Sequence, residues 1–307
     1  EDEQTTVELS KADLTDKKEL PGASLKVTDE DGNTVDEWVS KEEAHIIKGL
    51  IVGKKYKMTE TKPADGYVTA ESIEFTVENT KEVQKHQMLD DVTKVEISKK
   101  DIADSSEVPG AKLIILDKDG KKVESWTSTD KPHMVEKLPV GKYTLREEQA
   151  PDGYLIAEDV KFTVKDTGKV QKVKMKDAHP YGKLVIKKTD STSKAALPGA
   201  EFELREKENG KVVEKLVTDK TGTATSGKIP IATYKNGKVE KTVEYILVET
   251  KAPNGYELSS KKEEIRFEYK DGKTKVIEIV KEIKNTKSPS GSTPTGNSPK
   301  TGDSTNI

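Results

Sequence analysis

The chain contains no cysteine. Small secreted domains ordinarily staple themselves with disulfides, so either this chain belongs to a reducing compartment or another chemistry does the stapling. Aromatic residues are scarce as well, 5% of 307 positions, and only 32% of residues are hydrophobic. That excludes one large core and favours thin two-layer modules that need reinforcement. No run of about 18 apolar residues is present, and no secretory leader opens the chain. The sequence is therefore expected to be a mature or recombinantly expressed portion of a longer protein. An excess of one charge sign is lacking too: 53 Lys and Arg face 56 Asp and Glu, a net charge of −3. The basic residues are scattered, which argues against nucleic acid or an anionic membrane as a partner. Four histidines stand apart without ligand spacing, so neither metal nor cofactor is expected.

What is present is internal repetition. A Pro-Gly-Ala triplet recurs as Leu20-Pro21-Gly22-Ala23, Val108-Pro109-Gly110-Ala111 and Leu197-Pro198-Gly199-Ala200, in steps of 88 and 89 residues. A second signature follows each triplet: YKMTETKPADGY over Tyr56 to Tyr67, YTLREEQAPDGY over Tyr143 to Tyr154, and YILVETKAPNGY over Tyr245 to Tyr256. Between them lie short stretches of alternating polarity, punctuated by Asp31-Gly32, Asp119-Gly120 and Asn209-Gly210, dipeptides that favour primed hairpin turns. No helical periodicity competes. About seven short strands per repeat is the pattern of an antiparallel Ig-like β-sandwich. The predicted fold class is all-β: three tandem sandwich domains over residues 1–92, 93–180 and 181–286, then a flexible tail over 287–307. Linkers this short predict a semi-rigid rod. The third repeat carries extra length over 221–241, where Lys235-Asn236-Gly237 marks an added hairpin or loop. Asp29-Glu30-Asp31-Gly32 is similar to part of a calcium loop, but the aligned segment from Asp117 to Gly120 lacks the downstream Glu, so both are read as turns.

Side chains two residues apart share one face of a strand. The inward series of the first strand reads Val7-Leu9-Lys11, Val95-Ile97-Lys99 and Leu184-Ile186-Lys188, each ending on lysine. The strand entering the second signature reads Tyr56-Met58-Glu60, Tyr143-Leu145-Glu147 and Tyr245-Leu247-Glu249. In the last strand Met88, Met175 and Ile283 precede Asp90, Asp177 and Asn285 by two. Lys100, Lys187 and Glu148 have the opposite parity and would face solvent.

One such charge alone reads as a snorkelling side chain or a strand-end ion pair. Recurrence of all three partners in all three repeats points elsewhere. Burying them together is costly unless the charges disappear, and condensing an amine with a carboxyl or carboxamide removes them. Apolar surroundings favour the neutral amine that attacks and the neutral acid that accepts. A glutamate can carry the proton and polarise the carbonyl, which makes Glu60, Glu147 and Glu249 the predicted catalytic residues. Fixed contact supplies the effective concentration that lets the amide form without a cofactor.

The Lys-x-Asp spacing (Lys11/Asp13, Lys99/Asp101, Lys188/Asp190), the Pro-Gly-Ala triplet and the second signature together resemble the B-type repeat domains of Gram-positive collagen adhesins, also called prealbumin-like or pilin-type domains, over residues 5–286. The resemblance implies isopeptide crosslinks Lys11–Asp90 and Lys99–Asp177, which release water, and Lys188–Asn285, which releases ammonia. Each forms once, so the chain is expected not to be an enzyme toward external substrates. Repeat one departs from the pattern with Lys62-Pro63-Ala64 where Ala-Pro is usual. Its Glu-bearing loop is expected to be displaced, and its bond to be the first to form incompletely. Asp91 is an alternative partner of opposite parity.

After Thr286 the composition turns to Ser, Thr, Pro and Gly, a spacer too polar to bury anything. Ser298-Pro299-Lys300-Thr301-Gly302 then resembles the sortase signal Leu-Pro-x-Thr-Gly with Ser in first place, which implies cleavage between Thr301 and Gly302, with sortase and peptidoglycan as partners. The hydrophobic segment that ordinarily follows is not in the sequence, so the chain is expected to be cut short. The expected function is a cell-wall-anchored stalk or adhesin region at the extracellular surface, sealed by its own isopeptide bonds. The alternative is that the repeats themselves bind a host matrix protein such as collagen or fibrinogen.

Overall fold

The structure, a computed structural model, describes residues 4–289; the sortase-like motif from Ser298 to Gly302 lies outside the described residues. Among the described residues there is no helix. The first repeat forms β1 (Thr6–Asp13), β2 (Ser24–Thr28), β3 (Thr34–Val39), β4 (His45–Lys48), β5 (Lys55–Lys62), β6 (Ile73–Thr76) and β7 (Gln84–Asp90). The second follows the same order as β8 (Lys94–Asp101), β9 (Lys112–Leu116), β10 (Lys122–Thr127), β11 (His133–Glu136), β12 (Gly141–Gln149), β13 (Val160–Val164) and β14 (Val170–Asp177). The third comprises β15 (Tyr181–Asp190), β16 (Glu201–Glu206), β17 (Val212–Val217), β18 (Thr223–Thr225), β19 (Ile229–Pro230), β20 (Ala232–Lys235), β21 (Lys238–Thr242), β22 (Glu244–Lys251), β23 (Glu263–Arg266) and β24 (Val276–Asn285). Two compact units result, one containing β1 to β14 and the other β15 to β19 with β22 to β24.

Each repeat pairs a four-stranded antiparallel sheet with a second sheet centred on its first strand, three-stranded in repeats one and two and four-stranded in repeat three. In repeat one these are β3-β2-β5-β6 and β4-β1-β7; in repeat two, β10-β9-β12-β13 and β11-β8-β14. Repeat three has β17-β16-β22-β23 and a sheet in which β15 pairs with β18, β19 and β24. The alternation read in the sequence places Val7, Leu9, Leu25, Val27, Tyr56, Met58 and Met88 in one buried cluster, fed from both sheets. Val95, Ile97, Leu113, Ile115, Tyr143, Leu145 and Met175 do the same in repeat two.

The first and last strands of each repeat run parallel, β1 with β7, β8 with β14 and β15 with β24. This decides which side chains can meet. Antiparallel neighbours would put the C-terminal end of one strand beside the N-terminal end of the other, separating the lysine from the last-strand Asp or Asn. In the parallel arrangement the ends coincide: Asp13 lies opposite Asp90, Asp101 opposite Asp177 and Asp190 opposite Asn285.

The Asp-Gly and Asn-Gly dipeptides between the second and third strands do not form the expected primed turns. Only their glycines are left-handed, with φ of 84°, 79° and 73° at Gly32, Gly120 and Gly210, whereas a type I′ turn needs positive φ at both central residues. In the first two repeats an earlier carboxylate competes: Asp29 Oδ1 accepts the amides of Asp31 and Asn33 at 3.0 and 2.8 Å, and Asp117 Oδ1 those of Asp119 and Lys121 at 2.9 Å each. These side-chain turns build longer loops. Asn236 and Gly237, with φ of 52° and 68°, do make the two-residue primed turn, and it joins β20 to β21 in the added segment of repeat three.

A buried hydroxyl pins each Pro-Gly-Ala triplet. Ser40, Ser128 and Thr218 accept the amides of Ala23, Ala111 and Ala200 (2.9, 2.9 and 3.0 Å) and donate to the carbonyls of Leu20, Val108 and Leu197 (2.6, 2.6 and 2.8 Å). Ser128→Ala leaves a buried amide and carbonyl unpaired and is expected to cost about 1–3 kcal/mol; a chemical denaturation curve unchanged from the parent would contradict this. Within the first unit, repeats one and two are tied by Thr69, whose amide and hydroxyl donate to Asp166 at 2.9 and 2.6 Å. Thr93 adds a bond from its hydroxyl to the Leu138 carbonyl at 2.6 Å.

Candidate functional site

The nine residues singled out by strand parity are each 4% exposed or less. Lys11 and Asp90 come from neighbouring strands, with Lys11 opposite Met88, so the pair is offset by two positions on the same inward face. Lys11 Nζ contacts Asp90 Oδ1, Lys99 Nζ contacts Asp177 Oδ1, and Lys188 Nζ contacts Asn285 Oδ1. The glutamate arrives from the opposite sheet. Its oxygen lies 2.9 Å from Lys11 for Glu60, 3.1 Å from Lys99 for Glu147 and 3.0 Å from Lys188 for Glu249.

Two local features aim the glutamate. The register with the neighbouring strand slips immediately after it, between Glu60 and Lys62, Glu147 and Gln149, and Glu249 and Lys251. A bulge of this kind re-aims the adjacent side chain and breaks the ladder. A backbone amide ten residues on then grips the carboxylate: Ala70 on Glu60 at 2.7 Å, Ala157 on Glu147 at 2.7 Å and Ser259 on Glu249 at 2.9 Å. The displaced proline of repeat one leaves this geometry intact, so the expected shift of its Glu-bearing loop is not seen. Tight turns absorb the exchange of Pro and Ala, because Ala64 takes the buried place that Ala150 fills in repeat two.

The residues of opposite parity point away. Lys187 and Glu148 are exposed, Lys100 is half-buried and pairs with Glu107 at 2.8 Å, and Asp91 pairs with Lys94 at 2.8 Å.

Burial pushes the Asp90 carboxyl up to about 7, against the hydrogen bond and charge of Lys11 and with a further upward push from Glu60. Burial likewise raises Asp177 to about 7, against the charge of Lys99 and with Glu147 raising it. Burial thus favours the neutral form of each carboxyl, the form with a carbonyl open to attack. Burial also lowers the Lys188 amine, against its hydrogen bond to Glu249 and that residue's charge. Asn285 is oriented as well: its Nδ2 donates to Glu249 at 3.0 and 3.2 Å, which leaves its carbonyl oxygen toward Lys188.

A second recurring contact escaped the sequence reading. The tyrosine closing each signature donates its hydroxyl to the Asp two residues beyond the lysine: Tyr67 to Asp13 at 2.7 Å, Tyr154 to Asp101 at 2.8 Å and Tyr256 to Asp190 at 2.9 Å. The signal was present, since each tyrosine stands seven residues after its glutamate and each Asp two after its lysine. The Tyr67 hydroxyl, helped by the amides of Thr15 and Asp16 and by the charge of Lys137, outweighs burial and holds Asp13 at about 2. Asp190 is held at about 2 by the amides of Ser193 and Thr192 and by the Tyr256 hydroxyl. A depressed folded pKa stabilises above the ordinary value of 3.8 and is lost as pH falls through about 2. Asp13→Asn should therefore flatten the fall of stability between about pH 4 and pH 2. Parallel pH profiles for variant and parent would contradict that.

A family model described as SpaA, prealbumin-like fold domain, matches the chain three times, over residues 5–91, 93–179 and 182–283. Among solved structures, the Bacillus anthracis TIE protein is similar, with 28% identity and a TM-score of 0.60, over 93% of this chain and 51% of that one. The chain thus spans about half the length of that protein. BcpA, the major pilin subunit of Bacillus cereus, matches with 19% identity and a TM-score of 0.54, over 93% of this chain and 100% of that one. At that identity the likeness is one of fold. No curated protein sequence matches the chain significantly.

Proposed function

Because the chain belongs to the SpaA prealbumin-like fold domain family, we propose that it is a stretch of Gram-positive surface stalk in which each of three domains, 1–92, 93–180 and 181–286, seals itself with an intramolecular isopeptide bond. What supports this most is the buried lysine, glutamate and Asp or Asn recurring at one place in three repeats, always linking the first strand to the last.

In repeats one and two the neutral lysine amine attacks the protonated Asp carboxyl carbon, the C–N bond forms, and the C–O bond breaks. Of the two protons on the departing oxygen, which leaves as water, one is already on the Asp carboxyl and the other is the one the amine gives up as the amide forms. Glu60 or Glu147 relays the latter and ends as it began, so no cofactor is consumed. In repeat three the Asn285 amide nitrogen leaves instead. It takes the one proton that the neutral amine gives up and leaves as ammonia, and Glu249 ends as it began; the hydrogen bonds from Asn285 Nδ2 to Glu249 lie along that transfer. The products are uncharged amides, which end the cost of burying opposed charges.

Ser298-Pro299-Lys300-Thr301-Gly302 would anchor the stalk: a sortase breaks the Thr301–Gly302 peptide bond and joins Thr301 to a peptidoglycan amine, placing the chain on the cell wall. Tryptic peptide mapping tests the crosslinks. Three branched peptides are expected, joining Lys11 to Asp90, Lys99 to Asp177 and Lys188 to Asn285; linear peptides with free lysines at those positions would sink the proposal. Collagen and fibrinogen binding assays separate the stalk from an adhesive module, since binding at low-micromolar affinity or better would make the repeats themselves the adhesin.

A further inference from the structure

We propose that the Asp–Tyr pair beside each triad, Asp13–Tyr67, Asp101–Tyr154 and Asp190–Tyr256, positions the reacting groups by holding the two sheets in the alignment at which the glutamate meets the lysine. This rests on the isopeptide reading above and adds to it a set of residues that touch none of the reacting atoms.

The need for such a device follows from where the reactants come from. Lysine and its Asp or Asn sit on adjacent strands of one sheet, where the backbone ladder sets their separation. The glutamate sits on the other sheet. Between the sheets lies apolar packing, which is non-directional, yet proton transfer demands heavy atoms within about 2.6–3.2 Å. The Asp–Tyr hydrogen bond is directional and ties the loop that follows the glutamate's strand to the lysine-bearing strand, about 7 Å along that strand from the lysine, two residues on.

Both ends of the pair are themselves fixed. The other carboxylate oxygen accepts the amide of Thr15 at 2.6 Å, of Ala103 at 2.7 Å, or of Thr192 and Ser193 at 2.8 and 2.7 Å. The tyrosine amide closes the signature turn onto the carbonyl of Ala64, Pro151 or Pro253 at 3.0, 3.1 and 3.1 Å. Most tellingly, each tyrosine stands between the glutamate and the amide that grips it: Glu60, Tyr67, Ala70; Glu147, Tyr154, Ala157; Glu249, Tyr256, Ser259. Anchoring the tyrosine to the lysine-bearing strand anchors the amide, and the amide fixes the carboxylate. The surroundings of the pair differ among repeats while the pair persists. Lys137 lies 3.6 Å from Asp13 in the first, His179 lies 2.8 Å from Asp101 in the second, and the third Asp takes the additional amide of Ser193.

The third repeat permits a clean test, because its bond alone releases ammonia and is separable from the other two by intact mass. The full chain is synthesised in a cell-free system, quenched in acid at intervals, and the ammonia loss followed for the parent, Tyr256→Phe, Asp190→Leu, Asp190→Asn and Thr218→Ala. Tyr256→Phe and Asp190→Leu are expected to slow the loss on the order of tenfold or more, as small misplacements of reacting groups do. Asp190→Asn should recover most of the rate, since its carboxamide oxygen keeps the amides while its nitrogen donates to the tyrosine oxygen. Thr218→Ala, which loosens the same repeat away from the triad, should leave the rate near parental. A parental rate in Tyr256→Phe would overturn the proposal, as would equal slowing by Thr218→Ala, which would mean that any loosening suffices. A folded parent that never loses ammonia would overturn the isopeptide reading itself, and this one with it.

Discussion

A Glu60→Ala chain pulled from its two ends is expected to lengthen in one step of roughly 250 Å that the parent chain does not show. Lys11 and Asp90 are 79 residues apart in sequence but sit on adjacent parallel strands. A bond between them carries tension straight across the repeat, and only the few residues outside the closed loop can extend. Without Glu60 the proton relay is lost, the pair stays unlinked, and tension reaches the whole loop. The same reasoning applies to Glu147, where the linked positions are 78 residues apart, and to Glu249, where they are 97 apart. Each substitution should add one step, so the triple variant gives three. An identical force trace for parent and Glu60→Ala would mean that no covalent path crosses the first repeat.

Thermal unfolding should separate two ways of losing the same bond. Closing a loop of this size stabilises by about 4–5 kcal/mol on the chain-entropy estimate. For a repeat of this length that corresponds to a fall in melting temperature of about 20 °C or more. Glu147→Gln removes the bond but leaves Lys99 and Asp177 to neutralise one another in the core. Lys99→Ala removes the bond and the only cation of the triad, leaving Asp177 and Glu147 buried together without it. Breaking a buried charge set in this way adds roughly 3–5 kcal/mol. Calorimetry of the full chain should show the second repeat melting earlier in Glu147→Gln and earlier still in Lys99→Ala. Equal melting of both variants with the parent would contradict a crosslinked second repeat.

The inward series was legible because strand parity is strict: Val7, Leu9 and Lys11 cannot turn to solvent without taking their whole face with them. The all-β class and the added hairpin at Asn236-Gly237 followed from the same local rules. Features that depend on distant chain segments were not legible. Nothing in β1 or β7 alone says that they run parallel, yet that direction is what brings Lys11 to Asp90. The Asp31-Gly32 turn was misread because Asp29, two residues earlier, captures the loop amides with its side chain. The Asp13–Tyr67 bond joins residues 54 apart, and its two halves read separately as a spacing and a turn marker. The sequence reading displaced repeat one's glutamate loop on the strength of Pro63, but the amide of Ala70 restores the position of Glu60.

Intact mass spectrometry of the purified, folded chain tests the self-sealing of the three repeats most directly. The expected mass is lower than the sequence mass by two waters and one ammonia, with the ammonia retained in Glu249→Ala and one water retained in each of Glu60→Ala and Glu147→Ala. A folded parent chain at its full sequence mass would contradict the crosslinks outright.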